Sequence, residues 1–131
     1  MIRPVLIALI ALATGSVQAQ EVDCATAETQ QDMNACAELD WQAADSALNA
    51  SYARAMIMMQ GIDADLPADQ RGAADTLRRA QRSWVMFRDA ACAAEAYTMY
   101  GGSAQPLLTY GCMARLTAAR ADDLDQMALP D

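Results

Sequence analysis

Met33, Ala37, Trp41, Ala44, Leu48, Tyr52, Ala55 and Met59 recur at steps of four and three residues. That spacing places one apolar stripe along a helix of about eight turns. Thr29 can cap its first turn, with Asp32 three residues later in a weak form of the capping box. Gly61, in the turn-rich "GIDADLP", is expected to end it. Pro67 suits the first turn of a second helix, with Asp65 upstream and Asp69 near the positive end of its dipole. The second stripe is Ala73, Leu77, Ala80, Trp84, Phe87, Ala91 and Ala94. Gly101-Gly102-Ser103 and Pro106 break the chain before a third helix carrying Cys112, Leu116, Ala119, Leu124 and Met127. No stretch alternates with period two over useful length. The expected fold is all-α: a small three-helix domain built on a long antiparallel helical hairpin and stapled by disulfides.

The start of the chain, "MIRPVLIALIALATGSVQA", reads as a secretory signal over residues 1–19. Arg3 precedes an apolar run from Val5 to Ala13, and small residues flank a cleavage position after Ala19. The run is about half the ~20 residues that span a bilayer. Residues 20–131 then form one exported helical domain, periplasmic or secreted. Charged Glu21 and Asp23 ahead of Cys24 argue against acylation of that cysteine.

An even set of four cysteines in an exported chain favours two disulfides over metal binding or a reactive thiol. Sequence separation favours Cys24–Cys36 and Cys92–Cys112. On one continuous helix Cys24 and Cys36 would stand ~18 Å apart, beyond disulfide reach, so a turn around Thr26–Thr29 is required. Cys92–Cys112 would join the second and third helices around the glycine loop. The other two connectivities, joining the first helix to the others, remain open at this point.

Without residues 1–19, eight arginines face 17 acids, a net charge of −9; lysine and histidine are absent. Such a surface disfavours nucleic acid and anionic lipid and attracts cationic partners. With no histidine or lysine, and with cysteines paired, nucleophilic and acid–base catalysis have few candidates, and no catalytic residue is assigned. The acids Asp122, Asp123 and Asp125, like Glu38, Asp40 and Asp45, read as solvated helix faces. Asp63 and Asp65 lack the remaining spacing of a calcium loop. Neither a cofactor nor a metal site is expected. Met56, Met58 and Met59 would suit Cu(I), but Met56 and Met59 share one helical face, where methionine is ordinary core filler. A Met/Ala stripe could also support self-association.

The densest chemistry lies in "QRSWVMFRDAAC", residues 81–92. Trp84, Phe87 and Ala91 fall on the core stripe, while Arg82, Arg88 and Asp89 lie off it or at its edge, their stems covering the aromatics. The functional alternative makes Arg88 a semi-buried anchor that organises the glycine loop through several hydrogen bonds. "YGGSAQPLL", residues 100–108, is the candidate binding loop. Gly101 and Gly102 permit close approach, and Ser103 and Gln105 offer hydrogen bonds. A plain helix connector would explain the same glycines.

"TQQDMNACAELDWQAADSALNASYARAM", "LRRAQRSWVMFRDAAC", "GGSAQP" and "CMARLTAARADDL", in that order, resemble the lysozyme inhibitor LprI N-terminal domain family over about Cys24 to Leu124. The resemblance implies an exported, disulfide-bonded helical binding module and no catalytic residue. It also implies a possible protein–protein inhibitor of a lysozyme-like muramidase, a cationic envelope protein that a −9 partner would attract. The alternative is a structural or copper-handling envelope protein without enzymatic activity.

Overall fold

The computed structural model describes residues 22–128. The expected signal segment, residues 1–19, lies outside them. Three helices carry the fold: α1 (Gln30–Asp65), α2 (Ala73–Ala96) and α3 (Gln105–Met127), with 3-10 turns at Ala68–Gln70 and Tyr97–Met99. Thr29 caps α1 as expected, its hydroxyl oxygen accepting from the Asp32 N–H at 3.1 Å. Asp23 builds the preceding turn by accepting from the Ala25 N–H and the Thr26 hydroxyl. That turn brings Cys24 back onto Cys36, and Cys92 is bonded to Cys112. Both favoured pairings are therefore formed.

At 1.5 Å per residue α1 is roughly 54 Å long, and α2 packs antiparallel to it. Asn34, Trp41 and Arg54 of α1 meet Ser103, Tyr110 and Asp125 at successive positions along the chain into and through α3. The first and third helices are therefore parallel, and the broadest packing in the domain lies between them. The all-α, three-helix, disulfide-stapled architecture expected from the sequence is the observed one. Its aliphatic core is Leu48, Ala55, Leu77, Ala121 and Leu124, with Tyr52, Met56, Met59 and Trp84 packed against it. Two of the three clustered methionines thus serve the core.

Several boundaries and faces differ from the sequence expectation. Gly61 does not end α1, which continues to Asp65. Pro67 opens only a 3-10 turn, and α2 begins at Ala73. Both shifts have one cause. The carboxylate of Asp63, still on α1, accepts the Gly72, Ala73 and Ala74 N–H groups at 2.8, 2.8 and 3.0 Å. It caps α2 from nine to eleven residues upstream, satisfying donors that the helix start leaves without partners.

The buried face of α2 is also rotated. It consists of Ala74, Leu77, Arg88, Cys92 and Ala96, whereas Ala80 and Ala94 are exposed and Phe87 is 61 % exposed. Arg88, expected off the stripe or at its edge, occupies a core position. On α3, Ala119 and Met127 are exposed, and Thr117 and Ala121 join Cys112 and Leu124 inside.

The three backbone donors hold the Asp63 carboxyl below its ordinary value of 3.8, and the Arg54 hydrogen bond does the same for Asp125. A lowered folded-state pKa adds stability that is fully present above the unfolded value and is lost as pH falls through the folded one. Asp63→Ala should lower the melting temperature by a few degrees at pH 7. The gap from wild type should narrow as pH drops below about 3.8, which calorimetry across pH 2–7 would measure.

Candidate functional site

The loop between α2 and α3 is held from several directions. Behind it, Cys92–Cys112 locks the adjoining helix ends together. Gly101 takes a left-handed backbone angle, φ 73°, that side-chain-bearing residues rarely adopt. A Cβ on Gly102 would sit 3.2 Å from the Met99 carbonyl oxygen, which already accepts the Gly102 N–H at 2.9 Å. Gln105 turns back so that its Oε1 accepts the Gly101 N–H at 3.0 Å. From α1, the Asn34 amide donates to the Ser103 carbonyl at 2.9 Å, and Gln30 in turn donates to Asn34. The glycines and Gln105 thus shape the loop, and their hydrogen bonds are used within it. Ser103 is exposed, with its carbonyl tethered.

What this frame presents outward is aromatic. Tyr97 and Tyr100 stack with ring centroids 4.7 Å apart, yet are 65 % and 70 % exposed, with Met99 between them also exposed. Beside them Gly101, Gln105, Pro106, Thr109 and Tyr110 border an open hollow of about 370 Å³. Paired tyrosines fixed before contact offer large area and hydroxyl groups with little further ordering cost, the usual composition of an energetic contact centre. Tyr100 opens the loop expected from the sequence. Tyr97 was not singled out, because nothing in the local pattern distinguishes an exposed tyrosine at a helix end from a core one.

Arg88 is placed elsewhere. Thr117, with which it bonds, lies twelve residues into α3, roughly 18 Å along the helix from Gln105. The alternative in which Arg88 anchors the glycine loop is therefore corrected: Asn34, Gln105 and the disulfide hold that loop. Arg88 is only 7 % exposed and joins all three helices. Its guanidinium lies 5.3 Å from the Trp84 ring centroid and 5.9 Å from that of Trp41. It donates to Asp89 at 2.8–2.9 Å and to the Thr117 hydroxyl at 3.4 Å, with Asp45 at 3.7 Å. Trp41 stacks in turn on Tyr110 of α3.

The profile of the lysozyme inhibitor LprI family matches residues 22–124. The chain belongs to that family. An uncharacterized protein of Rhizobium meliloti (strain 1021) is 38 % identical over 122 residues, covering 91 % of this chain and 88 % of its own. The crystal structure of a DUF1311 family protein from Pseudomonas putida KT2440 superposes with a TM-score of 0.67 at 26 % identity. That match covers 79 % of this chain and 98 % of the other. Among the described residues, no helix is long and apolar enough to cross a membrane, and no group of three or more acidic, histidine or cysteine side chains could hold a metal ion.

The Trp84-x-x-Phe87-Arg88-Asp89-x-x-Cys92 segment gains a physical reading from this geometry. Trp84 and Arg88 stack, Asp89 holds the guanidinium from the rim, and Cys92 clamps the loop end. Arg88→Ala should cost about 2–4 kcal/mol in urea unfolding, since it removes a packed core side chain and leaves its polar partners unpaired. Arg88→Lys should recover only part of that, because an ammonium cannot reproduce the planar fork between two indoles.

Proposed function

We propose that the domain is an exported binding module that restrains a lysozyme-like muramidase by protein–protein contact, without chemistry of its own. The contact centre is the loop end, where Tyr97, Met99 and Tyr100 project from a frame fixed by Asn34, Gln105 and Cys92–Cys112. One observation carries this reading: a stacked tyrosine pair is left in solvent on a loop held by a disulfide and by hydrogen bonds from Asn34 and Gln105. Aromatic rings exposed at such a level are costly to hydrate, and contact with a partner removes that cost.

Membership of a family described as lysozyme inhibitors supports the choice of partner. Charge supports it too. A net charge of −9 on residues 20–131 accelerates encounter with a cationic enzyme and suppresses it with anionic ones. Steering sets the approach, and the apolar tip sets the lifetime of the complex. Gly101 and Gly102 keep the tip narrow, which suits insertion at the rim of a substrate cleft.

Turnover of cell-wall substrate by a cationic lysozyme should slow in the presence of micromolar oxidised domain. The effect should weaken as salt is raised, because exposed charges are screened within about 8–10 Å at 0.1–0.15 M. Tyr97→Ala combined with Tyr100→Ala should weaken inhibition at least tenfold while leaving the helical circular dichroism spectrum and melting temperature near wild type. Unchanged turnover at micromolar excess removes the reading, as does a double variant that inhibits as well as wild type.

A further inference from the structure

The net charge conceals a segregation. Residues 71–89 hold five arginines against two acids, Asp75 and Asp89, a local charge of +3 within a strongly acidic protein. Three of those arginines, Arg78, Arg82 and Arg88, line a groove of about 450 Å³ between α1 and α2. The helix pair that forms it packs less extensively than α1 against α3, and the gap is not closed by side chains.

The chemistry of the groove is divided. Leu48, Tyr52 and Val85 supply an apolar floor and wall. Arg88 supplies a buried cation at the inner side, already matched by Asp89 and by Asp45, whose carboxylate also lines the groove. Arg78 at the rim shares its charge with Asp75. Arg82 forms no ion pair among the described residues; beside it Gln81, whose Oε1 accepts from Arg120, adds an amide donor, while the Asn49 amide donates to Asp45. A mostly apolar hollow of a few hundred Å³ with a few converging polar groups is the usual form of a small-molecule site. Guanidinium forks select planar or tetrahedral oxyanions over other polar groups.

We propose that this groove binds a small organic anion, a phosphate or carboxylate carried on a ring or short apolar body. The oxyanion sits on Arg82, the groove arginine without a carboxylate partner among the described residues, with Arg78 at the rim, and the apolar body lies against Leu48, Tyr52 and Val85. The site is on a different part of the surface from the tyrosine tip and is independent of the muramidase reading.

The test uses phenyl phosphate as the probe, followed by amide chemical shifts of the isotopically labelled, oxidised domain. Saturable shifts confined to residues 45–52 and 78–88 are expected, with inorganic phosphate binding at least tenfold more weakly because it lacks the ring. Arg82→Gln should weaken phenyl phosphate binding at least tenfold, and Arg78→Gln severalfold. Arg115→Gln, which removes a surface arginine paired with Glu95 outside the groove, should leave it unchanged. Arg78 and Arg82 are both exposed, so the variants should retain the wild-type fold, which their spectra would verify. The proposal is overturned by shifts that do not saturate, by equal losses in Arg82→Gln and Arg115→Gln, or by equal affinity for inorganic phosphate. Capture by phosphatidylglycerol vesicles without saturable phenyl phosphate binding would also overturn it, since the surface would then read a lipid interface rather than a small anion.

Discussion

A guanidinium enclosed where three helices meet organises this domain. The aliphatic core cluster is three leucines and two alanines, gathered in the half of the bundle away from the glycine loop. Towards the loop the interior is filled by Arg88, Trp41, Trp84, Tyr110 and the Cys92–Cys112 bridge. An isolated buried charge would be costly, so Arg88 is stable there only because two indole faces, Asp89, Asp45 and Thr117 surround it together. Those partners come from all three helices, so the arginine fixes their rotation as well as their separation. An apolar side chain could fill the volume without specifying either.

The consequence is a bundle with two differently built ends. At one end Asp63 caps α2, and Arg54 pairs with Asp125 across α1 and α3. At the other, a disulfide, a left-handed glycine, a glutamine folded onto its own loop and an asparagine from α1 hold the α2–α3 turn. Cross-linking the chain between residues 92 and 112 restricts the unfolded state by about 3 kcal/mol on chain-entropy arguments. It also keeps the loop in one shape, which would lower the ordering cost of the proposed contact. The tyrosines stacked on that loop are the natural beneficiaries.

Much of the fold was legible in the residues. The α1 stripe from Met33 to Met59 is the observed inner face, because every buried position on that long helix is apolar or small. Both disulfides followed from sequence separation and the need for a turn after Cys24. The second stripe is the inner face at Leu77 and Trp84 but not at Phe87, for a specific reason. Trp84 and Phe87 suggest a shared face, but Arg88 holds the inner position and turns Phe87 outward; hydropathy alone does not assign an arginine to a core. The start of α2 was missed because its cap, Asp63, is distant in sequence, and capping rules read only local neighbours. Of the candidate site, Gly101, Gly102, Ser103 and Gln105 do share one loop, whereas Arg88 stands apart from it. The arginine cluster of residues 71–88 was visible in the sequence, but summing charge over the whole chain cancelled it.

The most direct test of the account is a hydrogen–deuterium exchange footprint of the oxidised domain alone and with a cationic lysozyme. Added protection should centre on residues 97–105, where the loop would be covered, with the middle of α2 unchanged. Protection confined to α2 around Arg78–Phe87, or none at saturating enzyme, would contradict the assignment of the fastened tyrosine loop as the surface that meets the muramidase.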